Sequence, residues 1–276
     1  VAVYGFRKNK KQFKTLMLII GITIIIPLTC IAANILKLNI ETNVTIIGVD
    51  KCLENRFAID NWETIATNVK NGNMCGYHVG DEKEIELTGF GKHNVRISNM
   101  SKCTNGETSE TACGFVVEFA DIITNQKFNN TATNVGGWKD SKLRTYVNGT
   151  IYNALPSELQ NVISSTKVIS SHGGKSGEAN FETQDKLYLL ARKEIYSGEH
   201  RYDSLDLETK QLDIYKNLNV NTTSYNNVIK VYQGKNTSWW LRSASSYDTI
   251  GFFNIDSNGK WFGDSAINAS GISPAF

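Results

Sequence analysis

Hydrophobic and polar positions split the chain into one unbroken apolar stretch and a long region of short, changing periodicities. "TLMLIIGITIIIPLTCIAANIL" (residues 15–36) has no charge between Lys14 and Lys37. As a helix it spans about 33 Å at ~1.5 Å per residue, close to the ~30 Å hydrocarbon core of a bilayer. Pro27 and Asn34 are compatible with a span, because neighbouring groups can satisfy a kinked backbone. Residues 15–37 are therefore expected to be a transmembrane anchor, with residues 1–14 as a basic cytoplasmic head. A cleaved signal peptide is the rival reading, with "CIA" or "IAA" as a poor cleavage site. A lipid anchor on Cys30 is the third, disfavoured by the bulk of Pro27, Leu28 and Thr29 before it.

Beyond the anchor, "NVTIIGV" predicts a short strand, followed by a stalk to residue 57. Asp60 with Glu63 three residues on has the form of a capping box, and Trp62, Ile65, Ala66 and Val69 share one helical face. "EIELTGFGKHNVRIS" alternates on both sides of a glycine-rich turn, which predicts a hairpin. "GFVVEFADII" predicts a buried strand. "KDSKLRTYVNGTIYNALPSELQNVI" is helical, with Leu143, Tyr146, Val147 and Ile151 on one side and Pro156 restarting the helix in a first turn. "DKLYLLARKEIY" reads as a strand running into a helical turn, and "LETKQLDIYKNL" as a short helix. "GFFNIDSNGKWFGDS" places Asn258-Gly259 between two strands, the strongest short hairpin signal. "GISPAF" ends the chain as another strand. Helices mixed with antiparallel strands argue an α+β domain over residues 58–276.

In "TSWWLRSASS" the two adjacent tryptophans must point to opposite faces of a strand. One should enter a core; the other should meet a second layer or a surface. Arg242 lies on the face of Trp240.

Charge sharpens this picture. Six of the 29 Lys and Arg precede residue 38 and no acidic residue does, so from there on 27 acidic residues face 23 basic ones. The net +2 reports the basic head. The remainder lacks the basic footprint of a nucleic-acid binder, and the head should hold the N-terminus in the cytoplasm and send the domain outside. In an exported chain Cys52, Cys75, Cys103 and Cys113 allow three pairings. The near pair Cys103–Cys113 leaves Cys52–Cys75, and free thiols are the alternative. Neither a CxxC nor Cys/His ligand spacing occurs, so no metal or other cofactor is expected.

Catalytic motifs are missing. "HGGKSG" (172–177) has Ile169 where a phosphate-binding loop needs its first glycine. The four histidines form no HExxH, no GxSxG elbow occurs, and nothing marks two carboxylates as facing each other. "DSNGKWFGD" lacks calcium-loop spacing.

Four separated stretches, "NVGGWKDSKLRTYVNGTIYNALPSELQ", "DKLYLLARKEIY", "QLDIYKNL" and "SWWLRSASS…GISPAF", together resemble an uncharacterised domain family of Gram-positive bacterial surface proteins, marked by a WWLRS strand and a terminal SPAF strand. The family in turn is similar to the C-type-lectin-like fold of formylglycine-generating enzymes and retroelement-diversified receptors. The formylglycine chemistry needs a late cysteine pair, and here the last cysteine is Cys113. The resemblance implies that ligands meet the stretch after the tryptophans, namely Tyr247, Asp248, Phe252, Phe253, Asn254, Asp256 and Trp261. It assigns Trp239, Trp240 and Arg242, with Trp138 and Arg144, to scaffold. An ordinary half-buried strand is the other reading of "YDTIGFFNID".

The expectation is a single-pass protein of the cell membrane, anchored in the lipid bilayer, whose extracellular lectin-like module binds a glycan or protein ligand and does no catalysis. A pilin-like envelope subunit, a diversified receptor and a remnant enzyme are the alternatives.

Overall fold

The computed structural model describes residues 55–104, 106–205 and 208–276. The predicted head, anchor and "NVTIIGV" strand lie outside them. Among the described residues no helix is long and apolar enough to cross a membrane. The described residues fold as one compact unit.

The unit starts earlier than the predicted stalk allows. α1 (Arg56–Ile59) drives Phe57 fully into the core, edge-on to Trp62 and Phe115. α2 (Trp62–Lys70) follows. Its cap is Asn61, whose side chain accepts from the Thr64 N–H at 2.8 Å. Asp60, the expected cap, instead binds Arg56 and the Tyr77 hydroxyl. Capping needs the side chain one residue before the first helical turn, and here Asn61 holds that place.

Two five-stranded sheets carry the fold. The first has the order β1-β2-β3-β14-β7, with β1 (Glu82–Leu87), β2 (Gly91–Asn99), β3 (Val116–Phe119), β7 (Tyr188–Leu189) and β14 (Pro274–Ala275) all antiparallel. The second has the order β12-β11-β10-β13-β4, from β4 (Thr124–Lys127), β10 (Trp239–Ala244), β11 (Gly251–Ile255), β12 (Trp261–Ser265) and β13 (Ala269–Ile272). Only β10 and β13 pair in parallel there. Two hairpins, β5 (Thr166–Ser170) with β6 (Phe181–Asp185) and β8 (Lys230–Tyr232) with β9 (Lys235–Thr237), stand apart. The result is mixed helix and mostly antiparallel sheet, an α+β arrangement. The hairpins expected at residues 85–97 and 251–265 are present, as β1–β2 and β11–β12.

"GISPAF" does more than add a strand. Its first half is β13 in the second sheet and its last half is β14, between β3 and β7 of the first. Ser273 sits between them, fully buried, and donates to the Phe119 carbonyl. The C-terminus thus ties the two sheets together.

The remaining helices are short. α3 (Lys142–Tyr146), capped by Ser141, widens into a π turn over Val147–Ile151 before Tyr152–Ala154. α4 (Ser157–Val162) starts after Pro156, α5 (Arg192–Ile195) follows β7, and α6 (Asp213–Asn217) precedes β8.

Candidate functional site

All six residues of β10 are buried, so this strand has no solvent face. Each tryptophan still finds a partner for its indole N–H, as a buried polar group must. Trp239 donates to the Val228 carbonyl and Trp240 to that of Gln126. Between them they join β10 to the 226–228 turn and to β4 at the edge of the same sheet. Trp240 also packs edge-on to Phe128, which stacks on Phe252 at 3.5 Å. Arg242 is buried against Glu194. Trp138 donates to Asp185 at 2.9 Å, and Arg144 pairs with the same carboxylate at 2.7 Å, fixing α3 to β6.

This wall presents a cluster of loops beyond the C-terminal end of β10. Asn134 organises them. Its side-chain amide, fully buried, shares two N–H groups among the carbonyls of Ser245, Asp248 and Gly251 at 2.9, 3.0 and 2.8 Å, and its backbone N–H donates to the Thr249 carbonyl. "HGGKSG" packs behind it. A Cβ on Gly173 would lie 2.1 Å from the Asn134 amide oxygen, and one on Gly174 would lie 2.6 Å from the Asp248 carbonyl. Gly174 allows close approach of two backbones and Gly173 leaves room for the Asn134 side chain, which is a different use from cradling phosphate. The 266–268 turn joins through the Ala266 N–H, which donates to Ile250.

On this support Tyr247 is 73% exposed and its ring lies 5.0 Å from that of Tyr202. Tyr202 has φ +66°, the left-handed region that side chains rarely adopt, at a cost of order 1 kcal/mol or more. The strain is held from both sides. The Ser246 N–H donates to the Tyr202 carbonyl at 3.0 Å, and the buried Arg192 donates to the Arg201 carbonyl at 2.8 Å. Arg192 packs against the rings of Phe253 and Trp261, 4.3 and 4.2 Å from their centroids, while the two rings meet each other edge-on. Arg201 covers the Tyr202 ring at 4.7 Å. Val135, Ile250 and Ile267 are exposed on the neighbouring loops.

Near this face lies a poorly satisfied buried pair. The Arg192 Nε is 3.8 Å from Asp203 Oδ2, too far for a hydrogen bond. Burial pushes the Asp203 carboxyl up and the Arg192 guanidinium down, in spite of their mutual attraction.

Of the seven predicted ligand residues, Tyr247 alone stands free on this face. Phe252, Phe253 and Asn254 are buried in β11 and are corrected to core. β11 is a central strand covered on both sides, so alternation cannot bring any of its residues to the surface. Asp248 holds its own turn, accepting from the N–H groups of Ile250 and Gly251. Asp256 does the same for the β11–β12 turn, accepting from Asn258 and Lys260. Trp261 is half-buried over Arg192. Sequence reasoning missed Tyr202, Arg201 and Asn134, which are brought to this end only by chain reversal; the tight "NVGG" and "HGG" turns were the one available signal. Cys103 and Cys113 form a disulfide. Cys75 is also disulfide-bonded, and Cys52 lies outside the described residues.

The family model of a domain of unknown function, DUF6273, matches residues 116–276, more than half of the chain. The chain belongs to that family. The DUF6273 segment begins at β3, so it contains the whole second sheet, the tryptophan wall and the loop cluster. α1, α2, β1 and β2 precede it. No curated protein and no solved structure matches the chain.

Proposed function

We propose that this DUF6273 protein is a membrane-anchored, outward-facing binding module of C-type-lectin-like type, without catalysis, and that its loop end grips a protein ligand. The observation that carries the reading is the Tyr202–Tyr247 pair, exposed yet fixed by hydrogen bonds and by a strained backbone. Rigid tyrosines give large contact area at small entropic cost, and strain in a non-glycine residue is a pointer to function. Val135, Ile250 and Ile267 around the pair favour a protein over a glycan, since branched aliphatic side chains complement apolar protein surface. The aspartates of this stretch hold turns, which leaves them unsuited to acid–base work. Export is supported by the Cys103–Cys113 disulfide, because such bridges persist in oxidising compartments, and by the apolar run at residues 15–36. The WWLRS and SPAF motifs support the lectin-like and Gram-positive surface assignment.

The test is an array of bacterial and host surface proteins beside a glycan array, probed with the full chain in detergent micelles. Binding to a protein should fall about 30-fold or more in Tyr247→Ala, the scale of an aromatic hot spot of ~2 kcal/mol. Absence of protein binding, or binding that Tyr202→Ala and Tyr247→Ala leave unchanged, refutes the reading.

A further inference from the structure

A second recess lies at the opposite end of β4. Thr124, the first residue of β4, lines a cleft of about 600 Å3 between the β1–β2 turn and the β8–β9 turn, whereas the segment after Lys127 leads to the Asn134 loops. His93 and Asp121 line it too. His93 is 9% exposed, and its Nδ1 lies 3.0 Å from Asp121 Oδ2. The other atom of each group, His93 Nε2 and Asp121 Oδ1, is buried without a hydrogen-bond partner. Buried polar atoms are nearly always satisfied, so two orphans on one interacting pair call for a ligand or solvent.

Their chemistry defines what fits. Asp121 fixes the neutral tautomer with Nδ1–H donating, which leaves Nε2 an acceptor; on protonation Nε2–H becomes a donor. Burial works against the charged ring, but Asp121 more than offsets it, with a smaller push from the Phe90 carbonyl, which lies near the ring without reaching hydrogen-bond geometry, so the imidazole titrates above its ordinary 6.5. A hydroxyl suits Nε2 in either state, because it both donates and accepts. Asp121 Oδ1 needs a donor. An anion would face that carboxylate, and a cation would face the imidazolium. Lys92 at the rim is neutralised by Glu84 at 2.7 Å. Phe90 and Tyr232, both half-buried, are among its lining residues.

We propose that the His93–Asp121 cleft binds a neutral saccharide through adjacent hydroxyls, one on His93 Nε2 and one donating to Asp121 Oδ1. The site is separate from the protein-binding face and does not rest on it.

The experiment labels the full chain with 15N-histidine, in micelles, and titrates methyl glucoside, methyl galactoside and N-acetylglucosamine. The ring signal lost in His93→Gln identifies His93 among the four histidines. At least one sugar should shift that signal saturably, and Asp121→Asn should weaken the binding tenfold or more. Tyr247→Ala should leave it unchanged, which separates this site from the loop face. Should His93→Gln fail to fold, Asp121→Asn carries the test, with the His93 signal assigned by its response to that change. The proposal is overturned if no sugar moves the signal, so that solvent alone fills the cleft, or if Asp121→Asn binds as tightly as the parent.

Discussion

Replacing Glu194 by Gln should unfold much of what the tryptophan wall supports. Arg242 and Glu194 are both fully buried. All five guanidinium N–H groups are used: Nε donates to the Ile169 carbonyl, Nη1 to the Leu189 carbonyl and Glu194 Oε2, and Nη2 to Thr111 and Glu194 Oε1. The carboxylate also accepts from the Ala191 N–H and from the Thr111 and Thr209 hydroxyls. One ion pair therefore fastens β5, β7, β10, α5 and the 109–113 segment. Gln keeps the size but removes the charge and turns one acceptor into a donor among donors. Breaking a buried pair while its partner stays behind costs about 3–5 kcal/mol. For a folded unit of this size each kcal/mol moves Tm by roughly 2–4 °C, so the loss is about 6–20 °C. The five tryptophans all lie between residues 62 and 261, so their fluorescence in urea and thermal melts of the full chain follows this unit. High salt should not reduce the difference, because the pair is shielded from counter-ions. Adding Arg242→Met to Glu194→Gln should recover part of the loss, since no charge is then stranded. A loss below about 1 kcal/mol, the worth of an exposed pair, would refute the argument.

Lys230 gives a pH signature. It is buried, 4.4 Å from the Trp239 ring, and donates to Glu118, the Phe119 carbonyl and Ser273. Burial brings its ammonium from 10.5 down to about 8 against the pull of Glu118. The unfolded chain then binds more protons above pH 8, so stability rises with pH from about 8. Tyr215, raised well above 10 by burial and Glu118, opposes the trend above pH 10. The rise between pH 8 and 10 amounts to no more than about 3 kcal/mol, and urea midpoints should show it flattened in Lys230→Met; a flat parent curve counts against it. Changing Cys103 and Cys113 together to Ser opens a bridge between residues ten apart, and should lower the urea-derived stability by up to about 3 kcal/mol; no change would show that the bridge contributes nothing. Gly174→Ala places a methyl against the Asp248 carbonyl, and should cost about 1–3 kcal/mol and weaken protein binding without touching a ligand. Unaltered binding in that variant, measured on the same array, would remove the packing role given to "HGG".

Much of the architecture follows from local pattern. Alternation and the Asn258-Gly259 turn determine the β1–β2 and β11–β12 hairpins, because the side-chain period and the turn geometry are properties of a few adjacent residues. For "WWLRS" alternation only sends the two indoles to opposite faces, one of them free to meet a surface; the structure buries both. The face for ligand was not legible. "GFFNID" looks like a displayed aromatic and polar mixture, yet residues 251–255 are buried because both faces of β11 are covered. Asp248 and Asp256 look like free carboxylates and are held by backbone N–H groups two to four residues on. Tyr202 becomes the partner of Tyr247 only when Ser246 reaches its carbonyl across some forty residues of chain, and His93 meets Asp121 only because β2 pairs with β3, with Val95 opposite Phe119. Periodicity states which residues want to be covered. What covers them, and which polar atoms remain without partners, depends on contacts distant in sequence, and those exist only once the sheets have closed.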